Sequence, residues 1–71
     1  MLYIINTNDT NGRYHETHHY DCEYCPSLQH QEKLGEYNTD FIAMIIVRSK
    51  YKDAYGCRYC MPTEHPSTVL R

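Results

Sequence analysis

The first block of hydrophobic and polar positions in this chain predicts a β-hairpin. Leu2 to Ile5 is an apolar run rich in strand-forming residues. Residues 6–12 are dense in turn formers and end in Asn11-Gly12, a dipeptide typical of tight hairpin turns. We therefore expect a turn over this polar segment and a second strand that begins near Arg13.

A polar loop is expected after Pro26 and runs to Lys33, and residues 34–37 (Leu-Gly-Glu-Tyr) predict another short strand. The segment from Thr39 to Asp53 then holds the longest apolar run, residues 41–47. The β-branched residues of that run favour a strand.

The ends of the same segment favour a helix. Thr39 can cap the N-terminus, Asp40 suits the first turn, and the basic residues that follow the run suit the last turn. A stripe at helical spacing is formed by Phe41, Met44, Ile45 and Arg48. We predict a helix here, ended by Gly56.

The size of the chain indicates a fold that needs an additional cross-link, or staple, such as a disulfide or a bound metal ion. Its 71 residues make one domain, and a core this small offsets the entropy of ordering the chain only narrowly. Four cysteines are available as staples, in two Cys-x-x-Cys pairs. We name Cys22 and Cys25 the first cysteine pair, and Cys57 and Cys60 the second cysteine pair.

The spacing of the cysteines favours a metal over two disulfides. Two thiolates three positions apart can converge on one ion from a tight turn, and two such zinc knuckles complete a tetrahedral shell. Disulfides are typical of secreted chains, and residues 1–6 are too short and too uncharged for a signal peptide. The 31 residues between the pairs exceed the usual gap of about 15–20 in paired sites. We predict a structural zinc ion in a small α+β fold: a zinc-stapled hairpin, one helix and two knuckles.

The two pairs share the pattern Cys-x-Tyr-Cys, and this internal repeat favours Cys25 as the fourth ligand. The predicted metal ligands are therefore Cys22, Cys25, Cys57 and Cys60. A zinc-binding domain is expected over residues 1–62, and the proline-containing segment 63–71 is expected to be a flexible tail.

Residues 18–62 also resemble the small zinc-binding domains related to the Ada-type methyl-phosphotriester repair module. The matching motifs are His18-x-x-x-Cys22, the short strand, the helix, and the closing segment Gly56-Cys57-x-x-Cys60-x-Pro62. The chain is similar as well to small uncharacterised bacterial and phage proteins. The resemblance implies that His18 is the fourth zinc ligand, as the alternative to Cys25.

Charge gives little support to a nucleic-acid partner. The net charge is −2, and the acidic residues concentrate in residues 1–40, whereas a small basic stretch lies at 48–58. Strong nucleic-acid binders usually carry a basic excess. We expect a cytoplasmic, non-enzymatic interaction module with an unknown protein partner. Eight tyrosines exceed what so small a core can bury, and those that flank the cysteines suggest a contact surface.

Three other functions fit the residues less well. An Ada-type reaction would use Cys22 or its pair partner as a methyl acceptor, but Asp21 and Glu23 flank that cysteine. A zinc deaminase would use the His30-x-Glu32 motif with the second cysteine pair, in a chain too short to enclose a nucleobase. A redox role for a Cys-x-x-Cys pair would need a helix opening at the first cysteine.

Overall fold

The computed structural model describes residues 1–69, which form a four-stranded mixed sheet with a helix on one face. The strands are β1 (Leu2–Thr10), β2 (Tyr14–His19), β3 (Gln31–Glu36) and β4 (Ala54–Gly56). The helices are α1 (Asp40–Arg48) and a single-turn α2 (Pro66–Val69), and two 3-10 turns span Leu28–His30 and Pro62–Glu64. The order across the sheet is β3-β1-β2-β4, with β4 parallel to β2 and the other pairs antiparallel. The predicted α+β class with a hairpin and one longer helix is confirmed.

The hairpin turns at Asn11-Gly12, as the sequence predicts. Both residues have positive φ, 55° and 68°, and the Arg13 amide donates to the Thr10 carbonyl at 2.9 Å. Positive φ at both central positions defines a type I′ turn, whose twist suits a two-residue hairpin. The prediction of a turn throughout 6–12 was wrong, because β1 continues to Thr10 through a bulge opposite Glu16.

Strand β3 begins earlier than predicted and replaces the end of the expected loop. Gln31 and Glu32 pair with Asn6 and Ile5 of β1, so backbone pairing outweighs the polar composition of this segment. Glu32 is also held by the hydroxyl of Tyr51, at 2.8 Å from Oε1. In the strand order, β3 lies beside β1 at one edge of the sheet.

Helix α1 has the predicted N-terminus and an earlier C-terminus. The Thr39 Oγ1 accepts a hydrogen bond from the Ile42 amide at 3.1 Å, which satisfies one of the free donors of the first turn. After Arg48, the Ser49 hydroxyl donates to the Ile46 carbonyl at 2.6 Å. The prediction that Gly56 ends the helix was wrong, because Gly56 is the last residue of β4.

The core lies between α1 and one face of the sheet. Its buried members are Tyr3, Ile5, Ala43, Met44, Val47, Ala54 and Met61. Complete burial of a side chain such as Ile5, Met44 or Val47 stabilises the fold by about 1.5–3 kcal/mol. Ile4 and His18 are opposed in the β1–β2 ladder and therefore share the opposite face of the sheet, where both are buried.

The segment after Cys60 packs back on β4. A Cβ atom on Gly56 would lie 2.7 Å from the Glu64 Cβ and 2.8 Å from the Met61 carbonyl oxygen, so only glycine fits there. Of the tail predicted over 63–71, residues 70 and 71 lie outside the described residues. No helix within residues 1–69 has the length and apolar character to cross a membrane.

Candidate metal centre

The parallel pairing of β2 and β4 brings two distant parts of the chain together. Thr17 pairs with Gly56, and the Cys57 amide donates to the Thr17 carbonyl at 2.9 Å. Because the two strands run in the same direction, the residues that follow this pair, His18 and Cys57, lie side by side. Tight turns after each strand then return Cys22 and Cys60 to the same place.

Four side chains converge at this point: His18, Cys22, Cys57 and Cys60. Their candidate ligand atoms all lie within 4.8 Å of one another, and the Sγ atoms of Cys22 and Cys57 are 4.0 Å apart. A tetrahedral zinc ion with Zn–S bonds of about 2.3 Å sets sulfur atoms about 3.8 Å apart. A disulfide needs about 2.05 Å, and all four cysteines are free. This cluster, which we call the metal centre, could hold a metal ion.

His18 is oriented for coordination through Nδ1. Its Nε2 lies 3.1 Å from the Glu16 Oε1, whereas Nδ1 is buried and has no hydrogen-bond partner. A buried ring nitrogen without a partner costs free energy, and a metal ion removes that cost. A metal-bound histidine typically donates its other ring N–H to a carboxylate, as Nε2 can to Glu16. The residues present therefore fit a metal ion.

Backbone amides also support the cysteine sulfurs. The Tyr59 amide donates to the Cys57 Sγ, and the His19 amide donates to the Cys60 Sγ, each at 3.3 Å. Hydrogen bonds to the charged form stabilise a thiolate. The Met61 amide donates to the Cys57 carbonyl at 3.0 Å and closes the turn between the second cysteine pair.

The acid–base properties of the cluster indicate that three thiolates need a cation. Burial raises the pKa of Cys57 and Cys60, and proximity to the Cys22 sulfur raises both further. Burial alone would raise the pKa of Cys22, but the Tyr24 amide and the neighbouring His18 and cysteine side chains outweigh burial, so the pKa of Cys22 is lowered. Three negative charges this close repel one another, and a divalent ion offsets that repulsion.

The first cysteine pair is split by the fold. The structure brings Cys22 into the metal centre together with His18, and it does not bring in Cys25, which the internal repeat favoured as fourth ligand. The Cys25 Sγ instead donates to the His19 carbonyl at 3.3 Å. Burial raises the pKa of Cys25 to about 11, so it is a protonated thiol at neutral pH. The fourth position is taken by His18, the alternative that the family resemblance supplied.

The two tyrosines of the Cys-x-Tyr-Cys repeat are brought together. The Tyr24 and Tyr59 rings stack with centroids 3.9 Å apart and planes 18° apart. Together with Cys22 and Cys60 they line a shallow pocket beside the metal centre, and both rings are exposed. The two rings therefore lie beside the metal centre and remain open to solvent.

The remaining histidines are held elsewhere. His15 and His19 are part-buried and face carboxylates. His15 Nδ1 lies 2.9 Å from Asp53, and His19 Nε2 lies 2.8 Å from Asp40. His65, expected in the tail, pairs with the Ser67 hydroxyl at 2.7 Å.

The deaminase motif is not assembled. Glu32 is paired with Lys50, and neither it nor His30 belongs to the metal centre. Glu16 was missed from the sequence, although its position two residues before His18 on one strand puts both on one face.

Comparison with protein-family models, with curated proteins and with solved structures finds no match to this chain.

Proposed function

We propose that this chain binds one structural Zn²⁺ ion through His18, Cys22, Cys57 and Cys60, and that it acts as a non-catalytic interaction module. The observation that carries the proposal is the convergence of four ligand atoms within 4.8 Å, from two segments 34 or more residues apart. A bound metal ion would satisfy His18 Nδ1 and three crowded thiols together.

The ligand set selects the metal. Three thiolates and one imidazole in a compact group are typical of structural zinc sites. With four protein ligands the ion has no open position, so it cannot activate water, and its role is to hold β2, β4 and their following turns together. In a chain of 71 residues, that link replaces part of the core that a larger domain would have.

An interaction role is supported by the large apolar side chains that are exposed on the protein surface. Large apolar side chains that remain exposed include Tyr24, Leu28, Phe41, Ile45 and Tyr59. Contiguous apolar surface on a small chain is typical of contact sites.

The metal proposal is tested by native mass spectrometry of the purified protein, with circular dichroism followed during chelation. We expect one zinc ion per chain and loss of the folded spectrum when a chelator removes it. A metal-free protein whose spectrum the chelator does not change would overturn the proposal.

A second candidate is a nucleic-acid-associated protein of the Ada type. It is favoured by two adjoining cavities that share Arg13 and Tyr14. One has Lys52 and Asp53 in its wall, and the other has Arg58 and Glu16, so that the cations outnumber the carboxylates. Within residues 1–69 none of these three cations has a carboxylate partner.

In such a reaction the Cys22 thiolate would take a methyl group from a DNA phosphotriester, leaving a phosphodiester. Incubation with methylated DNA tests this, because transfer adds the mass of one methyl group to the protein. An unchanged mass, and no salt-dependent binding of DNA, would count against it.

A further inference from the structure

Helix α1 is apolar around almost its whole circumference. Ala43, Met44 and Val47 face the core and are buried, as expected for one face of a helix packed on a sheet. The opposite side carries four large apolar residues and no charge: Phe41, Ile42, Ile45 and Ile46. A helix that is hydrophobic on all sides is normally buried on all sides. We call these four residues the outer face of α1.

The outer face is wide and exposed. Phe41, Ile42, Ile45 and Ile46 are 66%, 41%, 55% and 45% exposed. At 3.6 residues per turn they span an arc of about 140°. Their exposed area is on the order of 400 Å², which is within the range of the largest apolar patch on a typical monomer. Such a patch on a chain with a total surface of 4640 Å² indicates a contact surface.

We propose that the outer face of α1 binds the same face of a second copy of this chain. This inference rests on the proposed function, because it names the partner of the interaction module. Two copies would bury about 800 Å² of apolar surface, which is below the 1,200–2,000 Å² of a standard interface. The dimer is therefore weak and depends on concentration.

The shape of the outer face suits self-association. Phe41 with Ile45, and Ile42 with Ile46, form two rows at i, i+4 spacing with a groove between them. Rows of this spacing pack into the corresponding grooves of an identical helix at a crossing angle of about −50°. A two-fold axis that lies between the two copies of the helix makes one patch complementary to itself.

The charges at the ends of α1 favour an antiparallel pair of copies. The exposed Glu36, which lies 3.5 Å from the N-terminal amine, precedes the helix, and the exposed Lys52, which has no carboxylate partner within residues 1–69, follows it. Lys50 is already paired with Glu32. In an antiparallel arrangement the acidic end of one copy lies near the basic end of the other, and opposite helix dipole ends also meet.

A strongly charged partner would find nothing to pair with on the outer face itself. Asp40 is already bound by Tyr3 and His19, and Arg48 donates to the Ala54 carbonyl and lies over the Tyr55 ring. An apolar, self-complementary surface is the occupant that this face fits.

The test measures oligomeric state against concentration by sedimentation velocity, for the zinc-bound wild type, for Ile45→Glu and for Leu28→Glu. Leu28 is the matched control, because it is 85% exposed and lies outside α1. We expect a wild-type dimer that dissociates on dilution, about tenfold or more weaker association for Ile45→Glu, and no change for Leu28→Glu. The milder Ile45→Ser keeps the test valid if the glutamate variant does not fold.

A wild type that remains monomeric at millimolar concentration would overturn the proposal, as would a dimer that Ile45→Glu leaves intact. Binding of monomer to vesicles of phosphatidylcholine and phosphatidylglycerol, without self-association, would assign the face to a membrane surface and also overturn it. Native mass spectrometry of the same samples separates the two claims. A monomer that holds zinc contradicts this inference alone, whereas a metal-free dimer contradicts the zinc proposal alone.

Discussion

The first and second cysteine pairs have the same sequence pattern, yet they contribute differently to the metal centre. The second pair gives both Cys57 and Cys60, whereas the first gives only Cys22 and is completed by His18. The difference arises before the cysteines. The second pair directly follows the three-residue strand β4. Before the first pair, β2 runs one residue beyond His18, so the His18 side chain already lies in the metal centre when the chain turns back. A ligand set therefore depends on the strand that leads into a knuckle as much as on the knuckle.

The largest effect is expected from breaking the second pair. Cys60→Ser removes a thiolate from a partly buried four-ligand site and leaves a weaker oxygen donor. We expect loss of stoichiometric zinc and of the cooperative thermal transition, because zinc binding and folding are coupled in domains of this size. Zinc content and circular dichroism of the purified variant check this. A variant that keeps one tightly bound zinc ion would remove Cys60 from the site.

The turn into the second pair is expected to be nearly as sensitive. Gly56→Ala adds a methyl group 2.8 Å from the Met61 carbonyl oxygen, a backbone atom that cannot move aside without shifting the knuckle. Overpacking of this kind costs about 1–3 kcal/mol. Denaturant unfolding of the zinc-bound protein measures the loss. The control is Gly12→Ala, where the added methyl meets no atom within 4 Å and any cost comes from the positive φ alone.

A smaller effect is expected at Glu16, which holds His18 through Nε2. Loss of a carboxylate that orients a metal-bound histidine typically costs 10–100-fold in metal affinity. We expect Glu16→Ala to weaken zinc binding by about that factor, measured by competition with a chromophoric chelator. Glu23→Ala, which removes an exposed acid beside Cys22, should leave the affinity within about twofold of wild type. Equal losses in both variants would indicate a general charge effect instead.

The smallest effect is expected at Cys25. Its thiol donates to the His19 carbonyl at 3.3 Å, with the Tyr20 carbonyl 3.9 Å away, and a serine hydroxyl can donate to the same carbonyl. Cys25→Ser should keep one zinc ion and change the free energy of unfolding by about 1 kcal/mol or less. Loss of zinc here, in contrast to retention in His18→Ala, would reverse the assignment of the fourth ligand.

Much of the fold could be predicted because the local signals agree with the tertiary structure. Asn11-Gly12 sets the hairpin, and Thr39 sets the start of α1. Strand β4 was not predicted, since three residues show no periodicity. Its parallel partners in β2 lie 39 positions away along the chain. β3 and the end of β1 were misplaced for a related reason: pairing to a neighbour outweighed their polar composition.

Three of the four residues that the structure brings together in the metal centre had been proposed from spacing, because Cys22, Cys57 and Cys60 were included whichever fourth residue was chosen. The fourth could not be decided locally. Spacing treats Cys25 and Cys60 alike, and only the direction of β2 and its pairing with β4 show that His18 already fills the position. Glu16 becomes visible as its partner only once both are seen on the same face of one strand.

The most direct test of the ligand assignment is X-ray absorption fine structure at the zinc edge of the purified wild-type protein. We predict three sulfur ligands at about 2.3 Å and one nitrogen ligand at about 2.0 Å, with the multiple scattering of an imidazole ring. A shell of four sulfur ligands and no imidazole signal would contradict the account, because Cys25 would then hold the position assigned to His18.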